Sequence, residues 1–307
     1  MHGGTCWEVS DSCWPNGNYR GRSSAFWVNR ILRLYPAYLV VLSVTAATIA
    51  IVPELMSEYG GRWGAKWTAY RWLENLLIFP LTFHSPLRFV PPAWSVAVEL
   101  INYALLWLFI ARGRWQAITA LVLGLGYHVY CIANGLGWQP RYFPWYSAVL
   151  PFSLGALAFF AGRDGYLLKP LPLAAAVVAW AVNVTTPSVI DVGGWVWSVG
   201  WYVNIGLAVL IVGSLAYAKA SKVDKWLGDL AYPVFLVHWF AGFCVWLLLP
   251  DLGTRGLALF IVSAPVVLAM SYAIVRFVDA RVIPLRDAIR GSANRLRSSR
   301  SRMGLAT

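Results

Sequence analysis

The sequence predicts an all-α fold, a polytopic transmembrane helical bundle of about eight spans with both termini on the inner side. Three observations predict it. Hydrophobic residues make up 59% of the 307 and charged residues only 12%, where a soluble domain carries about a quarter charged residues. Apolar segments recur at close to the ~20 residues that a helix needs to cross a bilayer core. Lysine and arginine collect on alternate connections between those segments, as the positive-inside rule requires. A mean hydropathy of +0.60 and 18 Trp and 15 Tyr fit the same reading, because amphipathic rings settle at headgroup depth.

The segments fall at 34–53, 94–111, 115–133, 143–162, 171–187, 197–218, 228–249 and 256–277. Pro91-Pro92 precedes the second, Arg112-Gly113-Arg114 separates it from the third, and Pro250-Asp251 closes the seventh. Residues 72–81 are also apolar, but the stretch is short and interrupted by Glu74 and Pro80. It is expected to lie at the interface or to re-enter.

With the N-terminus inside, the outer connections keep only Arg62, Lys66, Arg71, Arg88, Arg141 and Arg255, and the rest of the 25 basic residues face the inner side. Four of those six lie in one long connection, where charge influences topology little. The net charge of +12 therefore reads as topology and attraction to anionic lipid, and no soluble domain accompanies it to bind nucleic acid. The organisation expected is an atypical polar segment at 1–25, a membrane domain at 26–285 and a basic cytoplasmic tail at 286–307. The first 25 residues hold no apolar run of the signal-peptide kind. Cys6 and Cys13 lack metal-type spacing, and Cys131 and Cys244 sit in apolar segments as small hydrophobes. No metal, nucleotide or cofactor motif is present.

Ionisable groups inside spans are expensive and rare, so each is a functional candidate. Glu99 follows Pro91-Pro92-Ala93-Trp94-Ser95 in a helix starting near Ala93. Ser95, Glu99 and either Asn102 or Tyr103 then share one polar stripe, with Glu99 roughly 8–9 Å below the outer boundary. The alternative for Glu99 is a carboxylate facing water in a vestibule, or a structural pair with an arginine. Arg30 and Arg33 lie three residues apart where the first span meets the inner boundary. Their planar forks suit phosphate, although arginines there also serve as topology anchors. His238 lies about ten residues into its span, beyond Pro233, where an imidazole can act as a general base or simply hydrogen-bond a neighbouring helix. His128 reads as structural, His84 as exposed, and Asp279 as a partner of Arg276 or Arg281.

These same segments resemble the landmarks of the membrane acyltransferase-3 family. Arg30-Ile-Leu-Arg33 followed by Leu-Tyr-Pro is similar to its Arg-x-x-Arg, Ile/Leu-Tyr-Pro signature. Trp94-Ser-Val-Ala-Val-Glu99 through Asn102-Tyr103 is similar to its Trp-Ser-Leu-x-x-Glu-x-x-Phe-Tyr segment. Leu227-Gly, then Ala231-Tyr-Pro-Val-Phe-Leu-Val-His238-Trp, is similar to its Leu-Gly, Ser-Tyr-Pro-x-Tyr-Leu-x-His stretch. The family usually has ten spans, the first two carrying an essential His and a Ser-Gly-Phe-Leu motif. The chain shows eight and is expected to lack the N-terminal one or two helices.

The resemblance implies a bacterial, multi-pass protein of the cytoplasmic (inner) membrane. Such an enzyme moves an acyl group, usually acetyl, from acyl-CoA to a hydroxyl of an extracytoplasmic glycan or similar acceptor, with acyl-CoA as a substrate and no cofactor. It implies Arg30 and Arg33 at the CoA phosphates and Glu99 as the catalytic group at the acceptor, with Trp94, Ser95 and Tyr103 lining the site. His238 is a second catalytic candidate. Two other readings stand beside it: a transporter or flippase, and an inactive truncated remnant. Against a transporter, the sequence has no internal repeat and no paired broken helices.

Overall fold

The computed structural model describes residues 23–61, 63, 68–78, 88–166, 170–189, 194–195, 198–216 and 221–289. Regular structure among them is helical: α1 Ser23–Ile51, α2 Pro53–Tyr59, α3 Ala69–Leu76, α4 Ala93–Leu108, α5 Arg114–Ala133 and α6 Trp138–Tyr142, then α7 Val149–Arg163, α8 Pro170–Val189, α9 Val199–Leu215, α10 Lys222–Leu248 and α11 Leu257–Ile274. A π-helical turn at Val275–Asp279 carries α11 onward, and helix continues through 280–289. Five helices are long and apolar enough to cross a bilayer, and α7, α8 and α9 are shorter apolar ones. Helices occupy all eight expected segments, five of them long enough to span, in a polytopic helical bundle.

The helices overrun the apolar segments at several ends. α1 starts at Ser23 rather than 34, and Pro36 sits inside it without ending it. Hydropathy marks the stretch that lipid demands, whereas a helix continues into the interface as long as its polar side chains reach water. α10 starts at Lys222 because Ser221 and Asp224 form a capping box. The Ser221 hydroxyl accepts from the Asp224 N–H at 3.1 Å, and the Asp224 carboxylate accepts from the Ser221 N–H at 2.7 Å. The cap satisfies backbone donors that would otherwise be orphaned. Conversely, α7 starts six residues later than 143. The preceding residues form turns around Pro144, with the Ser147 hydroxyl donating to the Pro144 carbonyl at 2.5 Å. The expected interfacial segment at 72–81 begins within α3, which ends at Leu76, and its residues from 79 onward lie outside the described ones.

The chain divides into two units, Pro15–Ala97 with Ser221–Thr307 and Val98–Ala220. In the first, α1 and α10 run side by side, tied by the Tyr232 hydroxyl donating to the Leu34 carbonyl at 3.0 Å, and α10 packs on α11. In the second, α5 packs on α7 at Gly124, where a Cβ would stand 2.9 Å from the Leu150 backbone nitrogen. Glycine at that point lets two backbones approach, the usual device for helix pairing without a hydrophobic driving force. His128 completes this unit's interior. Its Nε2 donates to the Ser147 carbonyl at 3.0 Å, which leaves Nδ1 to accept from the Tyr202 hydroxyl at 3.0 Å. Both ring nitrogens are thus used structurally.

Candidate active site

The first unit contains a cavity of about 530 Å³. α10 supplies His238, Trp239 and Gly242 to its wall, and the connection into α11 supplies Thr254, Arg255 and Gly256. The chain after α1 supplies Tyr59 and Trp63. His238 lies ten residues before the end of α10, about 15 Å along a helix of 1.5 Å rise. Its Nδ1 is 2.7 Å from the Phe235 carbonyl oxygen. A carbonyl only accepts, so Nδ1 carries the proton of the neutral ring and Nε2 keeps its lone pair. A histidine fixed in one tautomer beside a cavity is equipped to take a proton from a bound hydroxyl.

An aromatic cluster packs against the same helix, α10. Tyr59 stacks on Trp63 with centroids 6.0 Å apart, and it meets the rings of Phe243 at 5.7 Å and Trp246 at 5.5 Å. The Tyr59 hydroxyl comes against Gly242, where any Cβ would collide with it. Trp63 is itself fixed by its indole N–H, which lies 3.2 Å from both the Arg88 and the Phe89 carbonyls.

That backbone at 88–89 is set by Asn75, which is almost fully buried. The Asn75 side-chain oxygen accepts from the Phe89 N–H at 2.9 Å, and its amide donates to the Arg71 carbonyl at 2.9 Å. The Asn75 backbone carbonyl accepts from the Tyr38 hydroxyl of α1. Glu74 and Arg88 are buried beside it. Burial pushes the Arg88 guanidinium down to about 10, against the opposing pull of Tyr38 and Glu74, so it stays charged at neutral pH.

The other end of this unit carries the arginines singled out in the sequence. Arg30 is only 5% exposed and its guanidinium lies 5.3 Å from the centre of the Phe26 ring. Arg33 is half-buried. Arg33 and Arg286 act electrostatically on the carboxylates of Asp229 and Asp279, and Arg286 also donates from Nε to the Asn29 side-chain oxygen at 2.8 Å. Asp279 therefore sits with Arg33 and Arg286. Of its two expected partners, Arg281 instead donates to the Phe277 carbonyl at 2.7 Å.

α4 begins in the first unit with Trp94 and Ser95 and continues in the second with Glu99 and Tyr103. Trp94, Ser95 and Glu99 are half-buried and Tyr103 is buried. The Ser95 hydroxyl donates to the Pro92 carbonyl at 3.2 Å. Tyr103, rather than Asn102, shares the stripe with Glu99, its hydroxyl 3.4 Å from Oε2. Asn102 turns away to donate to the Val98 and Trp145 carbonyls at 2.9 and 3.0 Å.

Tyr59, Trp63, Asn75, Arg88 and Gly242 escaped the sequence reading. Only Gly242 had a usable signal, a glycine inside a run of bulky residues, which flags close backbone approach. The chain matches the family model described as an acyltransferase domain, the acyltransferase-3 model, over residues 13–276. No curated protein and no solved structure matches it.

Proposed function

This chain belongs to the membrane acyltransferase-3 family, and we propose that it moves an acyl group, acetyl in the first instance, from acyl-CoA to a hydroxyl of an extracytoplasmic glycan. The observation that carries the reading beyond the family is His238, tautomer fixed, with Nε2 available at a cavity of about 530 Å³. That volume lies within the range of small-molecule sites.

In the proposed reaction the acceptor oxygen attacks the thioester carbonyl carbon while its proton passes to His238 Nε2. Collapse of the tetrahedral intermediate breaks the C–S bond, and the sulfur leaves as the CoA thiol with the proton that His238 returns. The products are an ester and free CoA. Glu99, with Tyr103 beside it, is the second catalytic candidate, and Trp94 and Ser95 precede it on the same helix as substrate-binding candidates. Arg33 meets the CoA phosphates at the inner end, where its guanidinium is less enclosed than that of Arg30. The enzyme sits in the inner membrane with both termini in the cytoplasm, donor and acceptor reaching it from opposite sides.

The test uses washed membranes containing the full chain and radiolabelled acetyl-CoA, with label counted in the glycan fraction. His238→Ala at wild-type expression should lower transfer at least about a hundredfold, the usual size of a general-base contribution. Undiminished transfer in that variant removes His238 from the mechanism. Transport of the glycan with no covalent label would replace the acyltransfer reading altogether.

A further inference from the structure

Among the described residues lining the cavity, Arg255 alone carries a formal charge, and no carboxylate lines the wall with it. The arginines at the other end of the same unit are offset or packed: Arg33 and Arg286 act on Asp229 and Asp279, and Arg30 covers the Phe26 ring. Arg255 is exposed and close enough to Tyr59 to act electrostatically on its hydroxyl. Its place is set by the turn that carries it. The 3₁₀ turn Pro250–Leu252 is followed by glycines at 253 and 256 with φ of 68° and 116°, conformations that side-chain-bearing residues rarely adopt.

The rest of the lining is what a saccharide needs. His238, Thr254 and Ser263 offer polar atoms, and the half-buried ring of Trp239 and the exposed ring of Phe260 offer apolar surface. A neutral sugar would make no use of the charge on the guanidinium. An acidic sugar supplies a carboxylate whose two oxygens match the guanidinium fork.

We propose that the cavity binds an anionic saccharide, with Arg255 recognising the acidic group and so determining which acceptor is acylated. This rests on the acyltransfer reading for its purpose, but binding is measurable without any donor. The experiment is a ligand-observed NMR titration of the full chain in detergent, with methyl β-D-glucuronide and methyl β-D-glucoside, which differ in the acidic group. The glucuronide should bind about tenfold more tightly, one charge-assisted hydrogen bond being worth about that factor. Arg255→Gln should abolish the preference and Arg255→Lys should keep part of it.

Equal binding of the two sugars, a preference that survives Arg255→Gln, or no binding of either overturns the proposal. So does displacement of the glucuronide by phosphatidylglycerol in mixed micelles at equal concentration, which would assign Arg255 to lipid headgroups. An Arg255-dependent preference in a chain that transfers no acyl group would leave the sugar site standing and retire the acyltransfer reading.

Discussion

Replacing Gly242 by alanine tests the aromatic wall of the cavity. The added methyl would collide with the Tyr59 hydroxyl, whereas the next nearest atom, Tyr59 Cζ, is an ordinary 3.6 Å away. The tyrosine ring cannot swing aside freely, because it is 8% exposed and packed on Trp63, Phe243 and Trp246. Overpacking of this kind costs about 1–3 kcal/mol. The collision involves one atom, so Tyr59→Phe should remove it. The double variant Tyr59→Phe/Gly242→Ala should recover most of the loss, and the coupling energy between the two positions should approach the whole cost of Gly242→Ala. Thermal stability of the detergent-solubilised protein, read by fluorescence-detected size exclusion, measures all four corners of the cycle. At about 2–4 °C per kcal/mol for a domain of some 200 residues, Gly242→Ala should lose about 2–12 °C. Additivity of the two substitutions, or a Gly242→Ala protein as stable as the parent, would refute the packing argument.

Glu99→Gln should leave expression and thermal stability near those of the parent while lowering acetyl transfer in membranes about a hundredfold; retained transfer would exclude a chemical role for the carboxylate. Asn75→Leu removes the acceptor for the buried Phe89 N–H and the donor to Arg71, and leaving such groups unpaired costs about 1–3 kcal/mol each. The same size-exclusion assay should show that loss, accompanied by a changed near-ultraviolet dichroism as Trp63 loses its fixed partners. Gly124→Ala drives a Cβ against the Leu150 backbone nitrogen, which no rotamer change relieves. It should destabilise the protein by about 1–3 kcal/mol, where Gly126→Ala on the same helix, with open space around it, should be neutral.

The spans were legible because lipid imposes a single rule, about 20 apolar residues per crossing, and five helices obey it while three shorter apolar ones fill the remaining segments. Their ends were less so. α1 continues eleven residues before the expected start because a bilayer constrains the apolar stretch and says nothing of helix beyond it. His238 and Glu99 were legible for a related reason, since a polar group in a span stands out against its surroundings. Tyr59, Trp63, Asn75 and Arg88 belong to the connection after α1, where polar and aromatic residues are unremarkable and carry no periodicity. Their importance comes from folding back, onto α10 by ring packing and onto α1 by a hydrogen bond between partners 37 residues apart. Nothing in local spacing encodes those pairings.

Treating every charge near a span as functional gives Arg30 and Arg33 the same weight as His238, and the structure separates them by compensation. Burying a charge is tolerable when an opposite charge or a ring face offsets it. The inner end of the first unit follows that pattern, with Arg33 and Arg286 beside Asp229 and Asp279 and Arg30 over Phe26. Such offset groups hold helices α1, α10 and α11 in register and have less electrostatic energy left for a ligand. At the cavity the arrangement is reversed. His238 uses one nitrogen on its own helix and keeps the lone pair of the other, and Arg255 stands among described lining residues that include no carboxylate. Both groups are exposed, so their remaining polar capacity is open to a substrate as it is to water. On that ground the proposed chemistry is placed at the cavity end, while the arginines at the other end of the unit are offset in ways that hold the bundle.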